Sequence, residues 1–406
     1  MKFPKHFYWG AATASYQVEG GIENNDWAQA AREGRVPSCG RACDHYNRYE
    51  EDFDIARELG HNAHRFSIEW ARIEPKEGQF DQKEIEHYRQ VLQALKERNL
   101  TPFVTLWHFT LPVWFSESGG WQRKDAPEIF ARYCSKVVAE MGDLATHYAT
   151  LNEPNVYATH TNLYGAWPPF KRARLFWLKV GKEDGTSEMT GAKARFWHFF
   201  SYLKVANQLA RAHRTAYNEI KLVRPEAQIS VVKHVHYFHG NGGRQNFLLA
   251  KIMFYLQTAR YLNQIADCLD EIGINYYRNT GYGETREYKL TDMGWKMAPA
   301  FIYEVIMQLT RYGKPMYIAE AGLADQDDSD RGLYIWAQTR AVGRAIEAGA
   351  DVRGHFYWSL MDNYEWSLGF EKQFGLIHIN YQTLERTIRP SAYVYKEIIE
   401  NNGIVE

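Results

Sequence analysis

Eight runs of strand length, each followed by a stretch of helical periodicity, constrain the fold of this chain more than any other feature. The runs are FYWGAATA, AHRFSIEW, TPFVTLWH, HYATLNE, ISVVKHVHYF, EIGINYY, PMYIAEAG and VRGHFYWSL, rich in β-branched and aromatic residues. Between and after them lie HYNRYEEDFDIARELG, EIEHYRQVLQALKERN, PEIFARYCSKVVAEMG, FSYLKVANQLARAHRTAYNEI, LLAKIMFYLQTARYLNQIAD, FIYEVIMQLTRYG, LYIWAQTRAVGRAIEAG and AYVYKEIIE. Their apolar residues recur every three or four positions, as one face of a helix requires. Apolar strands separated by helices make a parallel sheet covered on both faces, and eight such units allow it to close as a (β/α)8 barrel. An open doubly wound sheet would need a glycine-rich phosphate loop after a strand, and neither GxGxxG nor GxxxxGK[ST] occurs. No short repeat or Pro/Ser-rich linker divides the chain, so one domain over residues 1–406 is expected.

Composition narrows the setting. Forty-eight basic against 49 acidic residues leave a net charge of −1, so no global field favours nucleic acid or an anionic membrane. The start, MKFPKHFYWG, carries no signal-peptide apolar run, and the longest apolar stretch is broken by Lys251, Gln257 and Arg260. A cytoplasmic protein without stable membrane insertion is the expectation. Cys39, Cys43, Cys134 and Cys268 show no paired framework and read as reduced thiols. Thirteen Trp and 27 Tyr suit a site that stacks on sugar rings, although large cores are aromatic too.

The fourth run ends abruptly: HYATLNEPNVYA carries a strand pattern straight into Asn152, Glu153 and Pro154, and proline cannot donate to a sheet ladder. A barrel explains this, because its active site lies on loops at the C-terminal ends of the strands. Polar residues finishing different strands then converge. The rim collects Gln17 after the first strand, Arg65 and Glu69 on the second, His108 after the third, and Asn152 with Glu153 after the fourth. Asn275 and Tyr277 follow on the sixth, Glu320 on the seventh and Trp358 on the eighth. Glu153 and Glu320 would face each other across the mouth, and paired carboxylates flanking one bond are the apparatus of glycoside hydrolysis. Each residue has a plainer reading. A strand-end Glu is usually a solvated cap, Arg65 and Glu69 share a strand face and can pair with each other, and His108, Trp358 and Trp366 taken singly are structural.

The chain resembles the family 1 glycoside hydrolases, the β-glucosidase and β-galactosidase group. The resemblance runs nearly end to end, through FYWGAATASYQVEGG, ACDHYNRYEEDFDIARELG, HRFSIEWARIEP, TLNEPN, GINYY, GKPMYIAEAG and FYWSLMDNYEWSLGFEKQFGLIHINYQTLERTIRPSAYVY. It implies Glu153 as general acid/base and Glu320 as nucleophile, with Tyr277 and Arg65 holding the Glu320 carboxylate ionised. Glu153 must be protonated to serve a leaving oxygen, so its pKa is expected to be raised by burial and by the charge of Glu320. Gln17, His108, Asn152, Glu365 and Trp366 are implied to hydrogen-bond the sugar, Asn152 at the 2-hydroxyl, with Trp358 as a platform beneath the ring. Asn275 and Phe374 complete the substrate-binding set. Glu365 and Phe374 argue against 6-phosphosugars, whose branch of the family usually has Ser and Tyr there.

Departures from the family pattern are plain. Ala319 and Ala321 flank Glu320 where Thr and Asn are usual, Phe109 and Tyr148 replace Trp, and the connection between the fifth and sixth strands is trimmed. The 170–197 segment is basic and aromatic; a loop beside the acceptor site or contact with a membrane or polyanion both fit it. His234, His236 and His239 suggest a metal on first sight, as do Cys39, Cys43 and His45, but neither set has matching further ligands, so no metal and no cofactor are expected. The expected activity is a retaining exo-β-glycosidase acting on β-glucosides, and on galactosides or fucosides. A sugar-binding barrel with weak or lost catalysis, and a transglycosylase, are the alternatives; the substrate partner is a small carbohydrate or β-glycoside, and the sequence leaves oligomeric state open.

Overall fold

The computed structural model describes residues 1–170 and 196–405. The basic, aromatic stretch singled out after the fourth strand therefore lies almost wholly outside the described residues. Each strand-length run contributes one parallel strand to a closed barrel: β1 Tyr8–Ala12, β2 Ala63–Ser67, β3 Thr101–Thr105, β4 His147–Asn152, β5 Gln228–His234, β6 Glu271–Asn275, β7 Met316–Ala321 and β8 Val352–Trp358. Neighbours follow chain order around the ring, and β1 closes it by pairing with β8 from Tyr8↔Gly354 to Ala12↔Trp358. Period-2 alternation sends one set of side chains inward, where Ala12, Ala63 and Ala149 leave room for Phe103, Tyr317 and Phe356. The Phe103 ring lies 4.8 Å from Phe356 and 5.2 Å from Tyr317. The outward set packs beneath helices such as Gln82–Glu97, Ala126–Met141, Phe196–Val223 and Arg331–Glu347.

Two departures from the sequence reading concern strand ends. ISVVKHVHYF is not one strand: β5 stops at His234, and Tyr237–Gly240 forms a separate parallel pair with Asn279–Tyr282 above the barrel mouth. Val235 and His236 continue the alternation, so nothing in the pattern marks the break. The connection expected to be trimmed and to carry one helix over LLAKIMFYLQTARYLNQIAD carries this small sheet as well, and its helical stretch is divided into the helix Arg244–Phe254, a π-helical turn Tyr255–Ala259 and the helix Arg260–Ile265. The second departure is in register. Between Ala149 and Asn152, β4 advances three residues while β5 advances two. In β7, Ile318 to Glu320 spans two residues against one in β6, and Ile318 to Ala321 three against two in β8. Such a bulge rotates the next side chain relative to its neighbours, and the two lie immediately before Glu153 and at Glu320.

The ends of the chain meet. Lys2 bridges Gly403 and the Met1 amino group donates to the Ile404 carbonyl at 3.1 Å, while helix Pro390–Glu400 packs on the barrel's outside through Tyr395 and Ile398. No helix among the described residues is long and apolar enough to cross a membrane.

Candidate active site

Glu153 begins where β4 ends. Its φ of 43° turns the chain sharply, its amide donates to the Val232 carbonyl at 2.8 Å, and Pro154 opens the helix Pro154–Asn162, where a missing N–H costs nothing. Glu153 is the residue before that helix but makes no capping bond, so its carboxyl group is available to the mouth. Asn275 Nδ2 donates to Glu153 Oε1 at 2.8 Å from the end of β6.

Glu320, on the β7 bulge, is held differently. Arg65 Nη1 donates to its Oε1 at 2.6 Å and the Tyr277 hydroxyl donates to its Oε2 at 2.8 Å. The second arm of the same guanidinium, Nη2, donates to Asn152 Oδ1 at 2.8 Å, so one buried cation ties the strand end before Glu153 to the Glu320 carboxylate. Arg65 also donates to the Ala319 carbonyl at 3.2 Å. That contact uses backbone, and alanine at this position does not weaken it.

The surroundings act strongly on the titration of Glu153. Glu153 has its pKa raised by burial first and by the Glu320 charge second, against smaller opposing effects of Asn275, Lys233 and Arg65. Burial and the Glu320 charge also hold the Tyr277 phenol well above its ordinary value, so it remains a donor. Burial, with Arg65 adding to it, keeps the His108 imidazole neutral.

Around the pair stand the residues read as sugar contacts. Gln17 Nε2 is anchored to Asn363 Oδ1 at 2.9 Å and to the Tyr364 carbonyl at 2.7 Å, leaving its buried Oε1 without a protein partner. His108 Nδ1 and Asn275 Oδ1 are likewise buried and unpartnered. All three belong to residues at or just after the C-terminal ends of barrel strands, where a polar ligand would satisfy them. The His108 ring runs parallel to Trp358 at 6.0 Å and to Trp366 at 6.1 Å. Burial and the Glu320 charge raise the Glu365 carboxyl to about 8.

The other residues singled out in the sequence have partners of their own. Glu69 does not pair with Arg65; it follows β2, opens the helix Trp70–Ile73, and accepts from Ser15 Oγ, Asn25 Nδ2 and Thr110 Oγ1 in a buried network among the segments that follow β1, β2 and β3. Asn275, counted among the sugar contacts, holds Glu153 through its amide nitrogen. Phe374 packs on Tyr277 and Trp295, at 6.2 and 6.4 Å, and backs the site from behind. His236 is spent on Thr280 Oγ1 at 2.7 Å, and the Cys39 and Cys43 thiols donate to the Tyr16 and Asp362 carbonyls. Sequence reasoning missed Lys233, buried in β5, whose ammonium donates to the His234 carbonyl at 3.0 Å and to Gln257 in the π-helical turn at 2.7 Å. A lone lysine in an otherwise apolar strand was the available signal. It also missed Asn363 and Tyr364, which fix Gln17.

Comparison with known proteins agrees with this geometry. The model of glycosyl hydrolase family 1 matches residues 1–246 and 243–404. A 1,4-beta-D-glucan glucohydrolase of Thermotoga neapolitana is 31% identical over 468 aligned positions, covering 100% of both chains. A beta-glycosidase from Pyrococcus horikoshii superposes with a TM-score of 0.88 at 35% identity, covering 100% of this chain and 96% of that one. The beta-glucosidase from Thermotoga maritima in complex with galacto-hydroximolactam gives 0.86 at 29% identity, over 100% of both chains.

Proposed function

This chain belongs to glycosyl hydrolase family 1, and on that premise we propose that it is a retaining exo-β-glycosidase in which Glu320 is the nucleophile and Glu153 the general acid/base. The observation that carries the reading is the unequal support of two neighbouring carboxyls. One is clasped by a guanidinium and a phenol, and the other is buried with its pKa raised.

In the first step a Glu320 oxygen attacks the anomeric carbon while Glu153 gives its proton to the departing glycosidic oxygen, and the alcohol leaves. Charge is conserved, since the glycosyl ester is neutral and Glu153 becomes the carboxylate. Tyr277 and Arg65 keep the attacking oxygen fixed, and Arg65 spreads its charge as the bond forms. In the second step Glu153 takes a proton from water, the hydroxide oxygen bonds to the same carbon, and Glu320 is released. The two carboxyl groups of such a mechanism stand about 5–5.5 Å apart, without space for an intervening water.

Gln17, His108, Glu365 and Trp366 are proposed to hold the terminal sugar and Asn152 its 2-hydroxyl, with Trp358 beneath the ring. The unpartnered Gln17 and His108 atoms support this assignment. Carboxyl and amide groups at the Gln17–Glu365 end suit neutral hydroxyls rather than a phosphate. Glucosides are the proposed substrates, with galactosides and fucosides accepted as well; the galacto-configured compound bound by the Thermotoga maritima relative supports that breadth. The flanking alanines do not favour a merely sugar-binding protein, because the clasp on Glu320 comes from Arg65 and Tyr277. We take residues 1–406 as one catalytic domain, a reading supported by the meeting of the chain ends. The cytoplasmic assignment is carried as part of the same proposal, supported by four buried, unlinked cysteines. The test is proton NMR of nitrophenyl β-glucoside hydrolysis: the β-anomer of glucose appears first, and the α-anomer appearing first rejects retention.

A further inference from the structure

The small sheet formed by Tyr237–Gly240 and Asn279–Tyr282 follows the C-terminal ends of β5 and β6, so it stands at the mouth side of the barrel. Helix Arg244–Phe254 lies across it, burying Ala250 and Phe254 against Phe238 with Met253 and Tyr282 alongside. The approach is close: a Cβ on Gly240 would lie 2.4 Å from the backbone of Phe247. The opposite face of the helix is also apolar. Phe247, Leu248, Ile252, Tyr255 and Leu256 are 55%, 59%, 45%, 52% and 46% exposed among the described residues. The last four fall at i, i+4, i+7 and i+8, one continuous ridge. Scattered exposed leucines are ordinary, but a ridge of five large side chains on three helical turns is a binding surface.

Its electrostatics indicate what it binds. From Gly240 to Ile265 the chain carries Arg244, Lys251 and Arg260 and not one Asp or Glu. An open groove of about 420 Å³ runs along the base of the ridge, lined by Gly240, Gly243, Arg244, Phe247, Leu248 and Lys251. Lys251 sits over the Phe247 ring at 5.0 Å. A two-fold contact with a second copy would set the same cations against each other, with no acid on the helix to neutralise them. A phospholipid surface satisfies both features: anionic phosphates meet the cations, and glycerol and upper acyl carbons meet the ridge.

We propose that this face seats the protein on the surface of an anionic phospholipid bilayer, with a headgroup phosphate in the groove between Arg244 and Lys251. The contact is peripheral. It adds to the glycosidase reading and does not depend on it.

Co-sedimentation with vesicles tests it, comparing phosphatidylcholine alone with phosphatidylcholine containing phosphatidylglycerol. Wild-type protein partitions onto the anionic vesicles at least tenfold better, and less so at 1 M salt, where charges are screened beyond about 3 Å. Leu248→Glu with Ile252→Glu, and separately Lys251→Glu, each reduce partitioning at least tenfold while hydrolysis of a soluble nitrophenyl β-glucoside is unchanged. These positions are exposed, so folding is spared, and unchanged melting curves confirm that. Absence of wild-type partitioning, or equal partitioning by the variants, overturns the proposal. So does release of the bound protein by millimolar inorganic phosphate, which makes the groove a site for a free anion. A wild-type dimer that the leucine and isoleucine substitutions dissociate assigns the face to a second copy and overturns it too.

Discussion

Glu153 and Glu320 are identical side chains in different company, and their surroundings make opposite predictions for each. The negative charge of Glu320 helps to raise the Glu153 pKa. Glu320→Gln removes that charge, so the Glu153 pKa falls, measurable by carbon-13 NMR or infrared titration of the carboxyl; an unmoved value would break the coupling. In the wild type, kcat/KM for a substrate with a poor leaving group declines as pH rises through the raised Glu153 pKa, because only the protonated form donates. Glu153→Gln abolishes that alkaline limb. Glu320→Ala lowers kcat about 10⁴-fold or more on every substrate. Glu153→Ala instead still reacts with a dinitrophenyl glycoside, then stalls, and added azide releases the β-glycosyl azide; with Glu320→Ala azide attacks the substrate directly and yields the α-azide. Exchanged anomers would reverse the two assignments. At this scale the sequence named side chains that the fold brings together, as with Glu153, Glu320, Arg65 and Tyr277. It was silent on division of labour. Asn275 reads equally well as a sugar contact or as the amide that holds Glu153, and Lys233 shows its two carbonyl partners only once the π-helical turn is folded.

The strand ends depend on backbone placement that no side-chain pattern reveals. The run of apolar, β-branched and aromatic residues marked all eight strands, because inward and outward faces are both buried and the runs end in polar rims. It did not reveal the bulges at β4 and β7, since one extra residue in a buried strand leaves the run apolar. Nor did it mark the end of β5, where Val235 and His236 keep the rhythm. The bulged β7 then runs so close to β8 that a Cβ on Gly322, two residues past Glu320, would stand 1.8 Å from the Trp358 carbonyl oxygen. Backbone cannot yield as a side chain tip can. Gly322→Ala therefore displaces both Glu320 and Trp358: thermal or urea unfolding should show a loss of about 1–3 kcal/mol, with kcat falling more than KM rises. Full activity in this variant would mean that β7 tolerates displacement at its rim.

Closure of the ring was legible from the count of eight units and the absence of a phosphate loop, whereas the small sheet over the mouth was not, because its strands are only four residues each. Registration around the barrel makes every strand dependent on two neighbours, and the first and last are no exception. The pairing of β1 with β8, together with the Lys2–Gly403 bridge, brings the two ends of the polypeptide side by side. Such a chain has no privileged starting point. If a short Gly/Ser tether joins Glu406 to Met1 and a new opening is cut between Glu77 and Gly78, in an exposed turn after helix Trp70–Ile73, the permuted polypeptide should fold to the same barrel. Its hydrolysis rate should stay within about threefold of the parent, since the cut leaves every carboxyl, guanidinium and amide of the site in place. The molecule is then an endless loop with a movable seam, and a sensor or binding module could be spliced into the seam without touching the sugar pocket.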